Sequence, residues 1–287
     1  MRIFVLIPVH NRKDLTVQCV KDLIAQDTKK EIEIVIIDDG STDGTKEALG
    51  QLEMFCKSGL RRVEIIRGNG NWWWSRCIEE AIRYVKPRLR IEDRILFLND
   101  DVRIDPNYCS TLISVNEKFG DCIVMSQLID ILDGSIIDSP VSVLSNTLEI
   151  RSLPVNLSTL GSVSKSDVAP GRGTLYPASL FLHDLNVDTQ RLPHYLSDYE
   201  FSVRAKRTGL DILCSHDSKV FTGTEWGNSR KKIGLIRRFT AIESPQNLRA
   251  NWTFWRTWEP HRSKMILLLK IIRYRLLPTF GTWHKSK

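Results

Sequence analysis

The chain has 287 residues, 42% hydrophobic and 26% charged, with a formal net charge of +7. That balance excludes a disordered, collagen-like or disulfide-framework polypeptide and leaves a globular chain with material for one core of average-to-large size plus an appendage. The charge also excludes a diffuse nucleic-acid-binding surface, because it is partitioned: Arg230 to Lys287 hold 14 Lys or Arg against Glu243 and Glu259, or +12, while the remainder holds 27 basic against 32 acidic residues, or −5.

Arg2 to Pro8 reads as a first strand, followed by a loop, Val9 to Asp14, and a helix with Leu15, Cys19, Leu23 and Ile24 on one face. Glu31 to Ile37 is a second strand. It breaks at Asp38-Asp39-Gly40-Ser41-Thr42-Asp43-Gly44-Thr45, where the glycines permit tight turns and Thr42 or Asp43 can cap a helix reaching about Cys56. Val63 to Ile66 is a third strand, Gly68 to Asn71 a loop, and Trp74 to Val85 a third helix. Repeated strand–helix steps predict an α/β fold, a doubly wound and mainly parallel sheet with helices on both faces.

A fourth strand, Arg94 to Leu98, is apolar from Ile95 onward and ends on Asn99-Asp100-Asp101. A run of this kind is covered on both faces, and in open α/β sheets ligands bind where such strands end. Adjacent carboxylates there repel and lose hydration unless a cation neutralises them. Oxygen ligands with one or two carboxylates suit Mg²⁺ or Mn²⁺ carrying a substrate diphosphate. A helix N-cap is the plainer role for acidic residues, but Asp105-Pro106 already supplies that start.

Pro8-Val9-His10-Asn11-Arg12, Ile37 to Asp43 and Asn99-Asp100-Asp101, in this order at strand ends, resemble the nucleotide-sugar-binding half of the inverting family 2 glycosyltransferases, which have the GT-A fold. The resemblance covers roughly Met1 to Ser229. It implies a catalytic domain over 1–229, a nucleoside-diphosphate sugar as donor, and Pro8, His10, Asn11 and Arg12 around the base and ribose. Asp38 or Asp39 would accept a hydrogen bond from a pyrimidine imide N–H. Asp101 would be the main metal ligand, with Asp100 facing the ribose. Asn99 stands where the family usually has its first aspartate, a loss that should weaken metal binding without nucleotide.

Trp72-Trp73-Trp74 cannot all point into one core, so at least one is expected to be exposed, and an aromatic face either lines the donor or acceptor cleft or packs beneath the loop; Asn71 and Trp74 are the donor-side candidates at this junction. Residues 122–170 alternate apolar runs with Ser, Asp and Asn and carry little functional signal. Gly171-Arg172-Gly173 then precedes a strand or strand–helix junction, Thr174 to Phe181, and in similar sequences lies at the sugar-binding floor. Arg172 is accordingly either a phosphate or acceptor contact or a solvated side chain on a flexible turn.

Ser197-Asp198-Tyr199-Glu200 opens a helix, and its spacing alone fits a capping box between Ser197 and Glu200. The family resemblance instead puts the catalytic base at Asp198, with Ser197 where a Glu is common. An inverting transfer needs one carboxylate to take the acceptor proton while that oxygen attacks opposite the departing diphosphate. Many relatives place a further metal ligand, a histidine, after a late strand; here Thr222 holds the matching position, with His216 and Glu225 nearby, and the ligand stays unassigned.

Residues 230–287 form a basic, Trp-containing helical extension. Trp252, Trp255, Trp258 and the apolar run Met265 to Leu269 interleave with Arg256, Arg262, Lys264, Lys270 and Arg273, which fits helices on an anionic membrane surface or a helical cap on the core. Six dispersed cysteines suit a reducing compartment, the N-terminal apolar run is too short for a signal peptide, and no stretch approaches a membrane span. The expectation is a cytoplasmic, metal-dependent glycosyltransferase, peripheral on the inner membrane face, acting on a glycan or lipid-linked glycan in cell-surface polysaccharide synthesis. The alternatives are a nucleotidyltransferase, disfavoured by the lack of a Gly-rich, Lys-containing triphosphate loop, and a non-catalytic, membrane-associated sugar-binding protein.

Overall fold

The computed structural model describes residues 1–56, 59–154, 163–223 and 234–273. The N-terminal half alternates strand and helix: β1 (Arg2–Val9), α1 (Lys13–Ile24), β2 (Glu31–Asp38), α2 (Thr45–Phe55), β3 (Arg61–Arg67), α3 (Trp73–Val85) and β4 (Arg94–Phe97). After β5 (Arg103–Ile104) and α4 (Tyr108–Phe119) comes β6 (Ile123–Asp130), then four short strands: β7 (Ile136–Asp138), β8 (Val141–Leu144), β9 (Glu149–Ser152) and β10 (Val163–Lys165). The remainder is β11 (Thr174–Pro177), α5 (Ser179–Leu182), α6 (Ser197–Lys206), β12 (Ile212–Thr222), α7 (Leu235–Thr240), α8 (Leu248–Trp258) and α9 (Lys264–Ile271).

The main sheet runs β10-β12-β6-β11-β4-β1-β2-β3. Strands β3, β2, β1 and β4 are parallel, as the repeated strand–helix steps predict. The other half is mixed, because β11 lies antiparallel between β4 and β6, and β10 pairs antiparallel with β12. An antiparallel β11 has a consequence for the site. Its entry turn, Gly171 to Gly173, must lie at the carboxyl end of β4, where the Gly173 N–H bonds Phe97 O at 2.9 Å.

Successive side chains of a strand face opposite ways, so an unbroken apolar run fills two cores. Phe4 and Leu6 of β1, Val35 and Ile37 of β2, and Ile95 and Phe97 of β4 pack on one face with α3, α6 and α8. Ile3, Val5 and Ile7, Ile34 and Ile36, and Leu96 pack on the other with α1, α2 and α4. Five of the six cysteines are buried and all six are free thiols, the usage expected of small hydrophobes.

One aromatic cluster ties the sheet to α6. Phe97 lies 4.8 Å from Tyr176, 6.0 Å from Phe181 and 5.6 Å from Phe201, and Phe201 stacks on Phe181 at 5.7 Å. Phe201 is fully buried one turn beyond Asp198, so its ring seats the first turn of α6 against β4. Phe201→Ala should cost about 3–5 kcal/mol, the range for a large ring replaced by a cavity. Urea unfolding would measure it, and a loss under about 1 kcal/mol would show that the ring does not hold this helix.

The basic extension is built onto the same core. Phe254 and Trp255 are fully buried beside α6, while Trp252 and Trp258 are half-buried against the core. Thr257 Oγ1 donates to Glu200 Oε1 at 3.1 Å, and Trp258 Nε1 to Ser145 Oγ at 2.9 Å. The tryptophans expected on a membrane face therefore turn inward, because α8 needs its apolar side to cover α6. The large exposed apolar side chains of this region lie instead on or just beyond α9 and α7.

Candidate active site

The carboxyl ends of β1, β2 and β4 open into one cleft of about 550 Å³, closed on the opposite side by the turn before β11 and the first turn of α6. Pro8, His10, Arg12, Asp39, Trp74, Asn99, Asp100, Asp101, Arg172 and Asp198 all line it.

Asn11, Asp38 and Asn71, expected around the donor, do not line it. Asn11 sits at φ +52° and uses its side-chain oxygen to accept the Thr42 N–H at 2.8 Å, fastening two loops together. Asp38 is committed to Arg67 and to the Ser41 N–H, the latter at 3.0 Å. Asn71 is exposed, with its N–H turned to Asn69 Oδ1 at 3.1 Å. Of the two aspartates ending β2, only Asp39 reaches the cleft.

Asp39 is heavily engaged as well. It accepts N–H groups from Gly70 and Trp72, both at 2.7 Å, and from Trp73 at 3.3 Å. The carboxylate thereby shapes the loop into α3. That loop approaches β2 so closely that a Cβ on Gly40, already at φ +67°, would lie 2.8 Å from Gly70 N. His10 Nδ1 lies 2.6 Å from Asp39 O.

The three tryptophans divide the work. Trp72 packs beneath the loop, and Trp74 meets Phe97 edge-on at 5.9 Å and forms part of the cleft wall. Trp73, at φ +56°, is the exposed one, tilted toward His194 at 5.6 Å. Trp74 also explains Gly171: a Cβ there would come 2.3 Å from the indole, so any larger residue would push the β11 turn out of place.

Asp100 and Asp101 are buried, and the cation beside them is Arg12. Its Nη1 lies 2.9 Å from Asp100 Oδ1 and 3.0 Å from Asp101 Oδ2, with Arg172 Nη2 at 3.8 Å from the same Asp101 oxygen. Burial raises the Asp100 carboxyl to about 7 despite Arg12, and the neighbouring Asp101 charge adds to the rise. Two buried acceptors in the motif, Asp101 Oδ1 and Asn99 Oδ1, have no protein hydrogen-bond partner. Unmatched buried oxygens are costly, and these two suit a hard cation. Among the described residues no group of three His, Cys, Asp or Glu side chains could hold a metal alone, so phosphate oxygens and water would have to complete its shell.

The residues near the unassigned ligand do other work. Thr222 Oγ1 donates to the Asp101 carbonyl at 3.0 Å, bracing the motif from behind. His216 is bound to Gln127 and Ser164 and does not line the cleft. Glu225 lies outside the described residues.

Asp198 sits in the first turn of α6. Its Oδ2 accepts the Gly171 N–H at 2.7 Å and its Oδ1 the Tyr199 N–H at 2.9 Å, which fixes the carboxylate plane. Burial pushes its pKa up, and these N–H bonds pull the other way. The capping box is not formed: Leu196 precedes the helix at φ +64°, Ser197 Oγ is buried without a partner, and Glu200 is turned to Arg204 at 2.8 Å. Ser75 reaches the carbonyls before this helix, bonding Pro193 O from its N–H at 3.1 Å and Leu192 O from its hydroxyl. That clasp sets His194 across from Trp73.

Sequence reasoning missed several cleft residues. Trp73 and His194 lie in stretches it singled out for their neighbours. Asp138, at the end of β7, lies in the segment with no functional pattern.

A sheet whose parallel strand ends carry paired carboxylates, faced by a carboxylate at a helix start across the cleft, defines a GT-A glycosyltransferase. The chain belongs to glycosyltransferase family 2: residues 4–161, more than half of it, match the profile described as Glycosyl transferase family 2. An uncharacterized glycosyltransferase of Mycoplasma pneumoniae is 32% identical over 120 residues, 41% of this chain and 38% of that protein. Staphylococcus aureus TarS 1–349, solved with UDP-GlcNAc, superposes at a TM-score of 0.62 with 14% identity, over 96% of this chain and 71% of that one. GalNAc-T7, solved with UDP, GalNAc and Mn²⁺, gives 0.63 with 17% identity over 79% of this chain and 45% of that one. At these identities the structural likenesses show the fold. The chain spans well under two thirds of the Mycoplasma protein, and 37% of a longer TarS chain.

Proposed function

We propose that this protein transfers a sugar, with inversion, from a nucleoside-diphosphate donor to a glycan hydroxyl, within a catalytic domain over 1–229. The observation that carries this reading is the convergence in one cleft of Asp198, Asn99-Asp100-Asp101, Arg12 and Arg172. Asp198, held by two backbone N–H groups and made more basic by burial, takes the acceptor proton. Asp39, Pro8 and His10 border the nucleotide end. Arg12 and Arg172 offset the charge of the carboxylates and of an incoming diphosphate. Asp101 and Asn99 would hold Mg²⁺ or Mn²⁺, and that cation supplies positive charge against the departing diphosphate. A screen of UDP- and GDP-sugars for metal-dependent nucleotide release tests the reading. No release with any donor, with or without added glycosides, would sink it.

The extension over 230–287 gives this reading a location. Met265, Ile266, Leu268 and Leu269 of α9, with Ile272 just beyond it, are exposed while Leu267 and Ile271 face the core, and Lys264, Lys270 and Arg273 flank them. Among the described residues no helix is long and apolar enough to cross a membrane. This face suits shallow insertion into an anionic bilayer, where a lipid-linked acceptor would be found. Leu269→Glu with Met265→Glu should release the protein from anionic liposomes in a sedimentation assay without lowering its melting temperature. Equal binding of wild type to neutral and anionic liposomes, or no binding, would leave α9 as a cap alone.

A further inference from the structure

Asp138 also lines the cleft, on a strand that among the described residues pairs only with β6. Its hydrogen bonding is modest, Oδ1 accepting the Ser139 N–H at 2.9 Å, and the Ser152 and Tyr199 hydroxyls lie near enough to act on the same carboxylate. Among the described residues no Lys or Arg is within ion-pairing distance of it, although Arg172 acts on it across the cleft. Tyr199 neighbours both carboxylates: its N–H bonds Asp198 Oδ1 at 2.9 Å, and its hydroxyl lies near enough to Asp138 to act on it. Asp138 and Asp198 thus line the same cleft, with Asp198 near enough for its charge to act on Asp138. Burial and the nearby Asp198 raise Asp138 to about 6, so it is largely ionised at neutral pH.

A carboxylate has about four acceptor sites, so the Ser139 N–H leaves Asp138 able to accept further hydrogen bonds in the cleft. The half of the cleft nearest Arg12 is suited to a diphosphate, which Asp138 would repel. What remains for it is a neutral, donor-rich ligand. We infer that Asp138 reads the acceptor: beside the base, it accepts a hydrogen bond from a ring hydroxyl of the acceptor sugar and so selects which hydroxyl meets Asp198. This rests on the glycosyltransferase reading and names the chemistry of its acceptor end.

The test uses methyl hexopyranosides as probes, with binding to the full chain followed by saturation-transfer NMR in the presence of UDP or GDP. Wild type should bind at least one of them, and Asp138→Asn should weaken that glycoside roughly tenfold or more, as loss of a charged acceptor predicts, while nucleotide affinity stays within about twofold. Monodeoxy analogues on wild type give an arm that needs no variant to fold. One of them should lose roughly tenfold or more, since a site built to bond a hydroxyl rejects the analogue lacking it. Overturning results are equal glycoside affinity in wild type and variant, equal affinity for all deoxy analogues, a parallel loss of nucleotide, or no glycoside binding by the nucleotide-bound wild type. Failure to bind either nucleotide would instead remove the glycosyltransferase reading, and the inference with it.

Discussion

Asp198→Asn should lower turnover roughly 10²-fold or more while donor affinity hardly changes. The carboxylate accepts two backbone N–H groups, one on each oxygen. Asn keeps the volume but offers one acceptor oxygen, so its NH₂ must confront either Gly171 or Tyr199. A stability loss of about 1 kcal/mol should therefore accompany the kinetic effect. Isothermal titration with the donor nucleotide and thermal melting separate the two contributions. If nucleotide binding collapsed along with turnover, the residue would be a structural clasp between α6 and the β11 turn and not the base. Wild-type turnover should also fall with acidity. The base works ionised, and burial raises its pKa, so activity drops at a higher pH than an ordinary carboxylate would give. A rate that stayed flat down to the normal carboxylate range would count against Asp198.

The parallel half of the sheet was legible because strands covered on both faces carry apolar runs, as Ile3 to Ile7, Ile34 to Ile37 and Ile95 to Phe97 do. Their polar ends then stood out as the site. The second half was not legible for the same physical reason in reverse. Strands β7 to β10 are edge or two-stranded pieces of three or four residues, half-exposed, with Ser, Asp and Glu among their apolar positions. No periodicity marks such segments, so Asp138 carried no signal. Motif resemblance also says nothing of loops whose side chains bond one another. Asp38 went to Arg67 and Asn11 to Thr42, partners that lie 29 and 31 residues away. Charge counting located the basic extension but not its orientation, because Trp255 and Phe254 had a hydrophobic face of α6 to cover.

Asp101→Asn should abolish measurable transfer, and EDTA should do the same to wild type. Asp101 Oδ2 faces Arg12 and Arg172, whereas Oδ1 is buried with nothing bonded to it, beside an equally unmatched Asn99 Oδ1. Asn preserves the shape and leaves Arg12 paired to Asp100 at 2.9 Å, so the fold should survive. Ala would instead open a cavity beneath two guanidinium groups. What Asn removes is the charge a divalent cation requires, in a motif that already has Asn at its first position. Without donor the pair of oxygens is a poor site, because Arg12 competes for the same carboxylates. Mn²⁺ binding followed by electron paramagnetic resonance should therefore be weak in the apoprotein, tighten when nucleoside diphosphate is added, and vanish in Asp101→Asn under both conditions. Tight Mn²⁺ binding without nucleotide, or full transfer in EDTA, would mean that Arg12 and Arg172 serve the departing diphosphate unaided.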